Sequence, residues 1–190
     1  AGTRGYLDKA LKLYADNEKY YLDALAKFPK DLKQDKNPEE YELRHQYRKD
    51  LAQGRILSAM ALWEKGKAYD QGNAEAKTLL TDAAKQFGEL ADKYRVWGEG
   101  VWARYYQGRV LTDAEEYAAA IGSFQELVAS LDSREPFHRQ MISNSLAGLQ
   151  KCLIGQKKFD DAAKRGEEWL GKARGQEPRQ APWLAVKYYT

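Results

Sequence analysis

Cysteine is almost absent: Cys152 stands alone among 190 residues. One thiol cannot close an internal disulfide, so a disulfide-stapled scaffold is excluded and the redox compartment stays open. Histidine is nearly as rare. His45, His138 and Cys152 are the only good soft or borderline metal ligands. None pairs with another at i, i+4, so a zinc site, which needs three or four such ligands, is not expected. Valine and isoleucine are scarce and no long stretch alternates apolar with polar residues, which argues against strands. No run approaches about 18 apolar residues, so no membrane span is expected. No charged-then-apolar leader opens the chain, which begins Ala1-Gly2-Thr3 and reads as a processed or trimmed product. Net charge is only +3, and its excess sits in the last forty residues.

What is abundant is Ala, Leu, Lys, Glu, Asp, Gln and Arg, mostly good helix formers. The prolines and glycines fall where helices start and stop. Asn37-Pro38-Glu39-Glu40 reads as an N-cap, a proline at the first helical position and a glutamate three residues after the cap. Glu135-Pro136 and Ala181-Pro182 read as further starts; Phe28-Pro29, Gly72-Asn73 and Gly155 read as ends. Thr112 or Asp113 is expected to cap a helix beginning at residue 114, through Glu115 or Glu116. The expected helices are 4–28, 38–71, 74–95, 100–111, 114–131, 136–154, 157–173 and 182–190. The second is long, and Gly54 is its expected bend.

A repeat runs through these helices. Trp63-x-x-Gly66-Lys67-Ala68-Tyr69, Tyr105-x-x-Gly108-Arg109-Val110-Leu111 and Ala147-x-x-Gln150-Lys151-Cys152-Leu153 are each 42 residues apart. A second pattern follows each: Leu80-x-x-Ala83-x-x-x-Phe87, Tyr117-x-x-Ala120-Ile121-x-x-Phe124 and Phe159-x-x-Ala162-Ala163-x-x-Gly166. In the last two units it keeps the 42-residue offset; in the first it comes five residues late. An early copy is Tyr21-x-x-Ala24-Leu25-x-x-Phe28. Small residues let helix backbones approach, and a bulky residue one turn away fills the space beside them.

These motifs resemble the tetratricopeptide repeat (TPR) over roughly residues 56–173. Gly66-x-Ala68-Tyr69 matches its first-helix pattern; Tyr117, Ala120 and Phe124 match its second. The period of 42 departs from that family's usual 34 and lies in the range of HEAT-type repeats. Gln150 and Gly166 replace the glycine and the aromatic in the third unit. The resemblance implies an all-α fold: antiparallel helical hairpins stacked as a short right-handed solenoid. Residues 1–55 would be an irregular repeat or cap, 56–175 three helical pairs, and 176–190 the start of a further helix. That last segment, with Trp183, Leu184, Val186, Tyr188 and Tyr189, is apolar where a terminal repeat should be polar. It would fold back as a cap, or belong to a longer array and serve self-association.

The resemblance also implies where a partner would bind. First helices line a concave groove in that family. Position by position this gives Trp63 and Lys67, then Trp102, Tyr105 and Arg109, then Asn144, Ala147 and Lys151. Lys67, Arg109 and Lys151 would form a basic ladder beside aromatic rings, suited to a protein or peptide partner with acidic groups. The bland alternative is solvated lysines over an aromatic core.

Catalytic and cofactor readings are weaker. Serines such as Ser143 lie near His138, but no orienting group marks a triad. The adjacent carboxylates Glu39-Glu40, Glu115-Glu116, Asp160-Asp161 and Glu167-Glu168 point to different helix faces, and three of the four pairs sit at expected helix starts. Gly98-x-Gly100-x-x-Ala103 matches a dinucleotide fingerprint but lacks the strand that fingerprint requires. Cys152 reads as a small core residue. No enzyme, cofactor or metal is expected. The expected function is a protein-binding scaffold. The alternatives are an assembly module of a larger repeat protein, or a weak nucleic-acid binder using Lys157, Lys158, Lys164, Arg165, Lys172, Arg174 and Arg179.

Overall fold

The computed structural model describes residues 2–70 and 72–172. All regular structure among them is helical: α1 (Thr3–Leu25), α2 (Pro38–Lys67), α3 (Ala74–Lys93), α4 (Gly98–Asp113), α5 (Tyr117–Ser130), α6 (Pro136–Gly155) and α7 (Phe159–Lys172). The expected helix at 182–190 and the apolar segment around Trp183 lie outside the described residues. The helices fall into two compact units divided between Glu99 and Gly100. Residue 55, the end of the N-terminal segment in the sequence reading, lies inside α2.

Pro38 and Pro136 each open a helix, after Asn37 and Glu135. A proline there lacks an N–H that would be unsatisfied anyway. Asn73 caps α3: its side-chain oxygen accepts the N–H groups of Glu75 at 2.8 Å and Ala76 at 3.3 Å. Helix α1 ends at Leu25, three residues before Phe28-Pro29, and the chain winds on through tighter turns. Helix α2 passes through Gly54 as one continuous helix.

In the first unit α2 is central, with α1 and α3 packed on it. α1 and α2 run antiparallel and are laced by polar rungs. Lys65 meets Asp8 at 2.8 Å, Arg55 meets Glu18 at 2.7 Å, and the Tyr21 hydroxyl donates to Asp50 at 3.3 Å. The α2–α3 side is the core, with Ile56, Ala59 and Trp63 buried on α2 and Leu80, Ala83 and Phe87 on α3.

In the second unit the 42-residue offset returns as geometry. The turn after α4 and the turn after α6 match bond for bond. The N–H groups of Glu115 and Lys157 reach the carbonyls of Thr112 and Ile154, and those of Glu116 and Lys158 reach Leu111 and Leu153. Glu115 (φ 60°) and Lys157 (φ 61°) supply the left-handed residue of each turn. This is the helix-ending motif that glycine usually occupies. Helix α5 therefore starts at Tyr117, not at residue 114. Thr112 and Asp113 belong to the last turn of α4, and the residue at the N-cap of α5 is Glu116. The Thr112 hydroxyl donates back to the Gly108 carbonyl at 2.8 Å.

Phe124 is the centre of this unit. It is fully buried, and its ring fills the space that side chains on Gly108 of α4 and Gly148 of α6 would need. A Cβ at either glycine would lie within 2.6 Å of the ring. In the third pair the arrangement is inverted. Gly166 offers no ring, and Gln150, where the second pair has Gly108, is itself buried and donates its amide to the Ala162 carbonyl at 3.2 Å. The two departures from the repeat thus lie on helices that pack together. The first pair is built differently again: the side chain nearest Gly66 is Leu80. A five-residue delay moves the pattern about 7.5 Å along the helix, so a different side chain reaches the gap.

Candidate functional site

Helices α4 and α6 run in the same direction. Trp102 touches Phe137 near the start of α6, and Thr112 touches Cys152 near its end. Residues 105, 109, 112 and 113 share one face of α4; 144, 147, 148 and 151 share one face of α6. Between them lies a cleft of about 250 Å³, with Phe124 beneath it. Its polar lining is Tyr105, Arg109, Thr112, Asp113, Asn144 and Lys151.

The electrostatics of the cleft are mixed, with two cations and one carboxylate. Arg109 is exposed, one turn along α4 from the half-buried Tyr105 phenol. Burial pushes that phenol up from its ordinary value, while the guanidinium pulls the other way. Lys151 is 4.0 Å from Asp113. At such exposure an ion pair contributes little stability, about 0–1 kcal/mol, so its cation is easily redirected. Arg104, on another face of α4, is tied to Glu126 of α5 at 3.0 Å.

Five of the expected partner-binding residues therefore meet here: Tyr105, Arg109, Asn144, Ala147 and Lys151. Trp102 stands one turn away in a half-buried ring cluster, stacked on Tyr106 at 5.7 Å. Trp63 and Lys67 belong to the first unit. Trp63 is only 3% exposed there, and the Lys67 ammonium sits 5.0 Å from its ring and 2.9 Å from Glu64. Thr112, Asp113 and Phe124 line the cleft without having been expected. Spacing from Arg109 carried the signal for the first two, since i+3 and i+4 return to the same helix face.

No family model, curated protein or solved structure matches this chain.

Among the described residues no group of three or more His, Cys, Asp or Glu is placed to hold a metal ion, and no helix is long and apolar enough to cross a membrane. His45 packs on Trp97, and His138 on Phe137. The Gly98–Ala103 fingerprint lies within α4 and follows the helical α3. Of the basic residues in the last quarter, Lys157, Lys158, Lys164 and Arg165 are exposed; Arg174 and Arg179 lie outside the described residues.

Cys152 is fully buried, 3.2 Å from the Thr112 hydroxyl. Burial pushes its thiol up, with weaker opposing pulls from Thr112 and Lys151. The thiolate is the reactive form, so Cys152 should resist a disulfide reagent such as Ellman's at pH 8 and react stoichiometrically once guanidinium unfolds the chain. Rapid labelling of the folded protein would contradict this burial.

Proposed function

We propose that this chain is a non-catalytic, TPR-like binding scaffold, and that the α4–α6 cleft takes an acidic stretch of a protein partner. One observation carries the reading: the two helix faces related by 42 residues converge on one cleft that presents Arg109 and Lys151 together. Tyr105 and Asn144 add a hydroxyl and an amide for orientation. An incoming carboxylate could take a bidentate bond from Arg109, the stronger kind of ion pair, and displace Asp113 from Lys151.

The test is a peptide-display selection on the intact chain, followed by titration of the recovered peptides. Asp- or Glu-rich sequences should emerge. Their affinity should fall at least about tenfold, or 1.4 kcal/mol, on Arg109→Glu/Lys151→Glu, with circular dichroism confirming both proteins folded. Peptides without acidic residues, or unchanged affinity on the variant, would move the site elsewhere.

A second reading is an assembly module within a larger repeat array. The bond-for-bond identity of the turns at Glu115 and Lys157 favours it, because stacking arrays reuse one supersecondary unit.

A further inference from the structure

Helix α1 carries two apolar stripes; α2 covers one, and meets the other only along its edge, where the Asn17 amide lies beside Gly54. Leu7, Leu11, Tyr14, Tyr21 and Leu25 are half-buried toward α2. Rotated by one residue, Tyr6, Ala10, Leu13, Asn17, Tyr20 and Ala24 repeat at intervals of 4, 3, 4, 3 and 4, the heptad spacing of a helix seam. Its large members lie open: Tyr6 and Leu13 are each 67% exposed and Tyr20 58%. On α2, Leu43 and Leu57 are exposed on one face and Tyr47 lies between them. Beside Ala24, where α1 ends and α2 begins, is a cleft of about 510 Å³ walled by Tyr20, Phe28, Leu43 and Tyr47.

We infer that this face is a homodimer interface, in which α1 of a second copy lies antiparallel along α1. The seam is self-complementary in that direction only. Turning it about a point between Leu13 and Asn17 sets Tyr6 against Ala24, Ala10 against Tyr20, and Leu13 against Asn17. Each large residue then meets a small or polar one, and two-fold symmetry repeats every pair. A parallel, in-register copy would stack tyrosine on tyrosine and alanine on alanine. The antiparallel register also drops Tyr6 of the second copy over the cleft beside Ala24. On the rim it brings Lys9 to Asp23, twice, and leaves one repulsive pair, Asp16 with its own copy. With α2 alongside, the result is a four-helix bundle, two helices from each copy.

The test is sedimentation equilibrium of the intact chain over a wide concentration range. The weight-average mass should climb from 21.7 kDa toward twice that value. Leu13→Glu, at an exposed position that leaves the fold intact by circular dichroism, should hold the mass at the monomer. Lys9→Glu and Asp23→Lys should each weaken association several-fold, and the double variant should recover it, because the rim pairs are restored with signs exchanged. Asp16→Asn should tighten it. A wild-type chain that stays at 21.7 kDa throughout overturns the interface. A dimer that survives Leu13→Glu, or a charge exchange that fails to rescue, overturns the antiparallel seam.

Discussion

Phe124→Ala should cost about 3–5 kcal/mol, in the range of phenylalanine truncations in a core. The ring is fully buried and holds three helices, since it lies on α5 and touches glycines of α4 and α6. The more telling result concerns those glycines. In the wild-type chain Gly108→Ala puts a methyl 2.6 Å from the ring, and Gly148→Ala puts one 2.5 Å away. Such overpacking costs about 1–3 kcal/mol. Without the ring the same substitutions should stabilise, by up to about 1 kcal/mol, because alanine is the better helix former. Gly122, exposed on α5 with nothing within 4 Å of a new Cβ, is the control and should stabilise in both backgrounds. Guanidinium unfolding followed by circular dichroism measures each change. A Gly108→Ala penalty that persists after Phe124 is removed would mean that the backbone, not the ring, is the obstacle.

The second large effect belongs to Gln150. Gln150→Gly should destabilise by about 2–4 kcal/mol, combining a core void with the lost bond to the Ala162 carbonyl. Gly166→Phe alone should also destabilise, since α6, which packs on α7, already holds Gln150 buried on its face. Together, Gln150→Gly and Gly166→Phe transplant the α4–α5 solution into α6–α7. Their coupling should recover about 1–3 kcal/mol of the summed penalties. Simple additivity would mean that the two positions do not share one space, and that the 42-residue match is confined to the turns.

Much of the helical skeleton was legible because its signals are local. Pro38 and Pro136 each mark a start, since proline fits only the first turn. The 42-residue register was legible because packing needs small residues at fixed places. The start of α5 was not. Thr112 and Asp113 look like caps, but a threonine can equally bond back within its helix, and the turn is made by Glu115, a residue type that seldom adopts positive φ. The cleft was half legible. The faces of α4 and α6 follow from periodicity, yet Trp63 shows the limit of position matching: it stands in register with Tyr105 and is buried where Tyr105 lines an opening. Register places a residue along a helix; the neighbours that cover it come from tertiary packing.

The ring beneath the cleft has a consequence for how a ligand would be gated. Arg109 and Lys151 reach over a floor of hydrocarbon, the side of Phe124, that neither titrates nor binds ions. The spacing between their two helices is wedged by that ring, so it should hold steady across salt concentrations and pH. The attraction proposed for an acidic partner would be charge-borne and would fade with screening. Aperture and attraction are thus controlled by separate parts: brine should quiet the cleft without deforming it, and heat, by loosening one aromatic wedge, should deform it without discharging it.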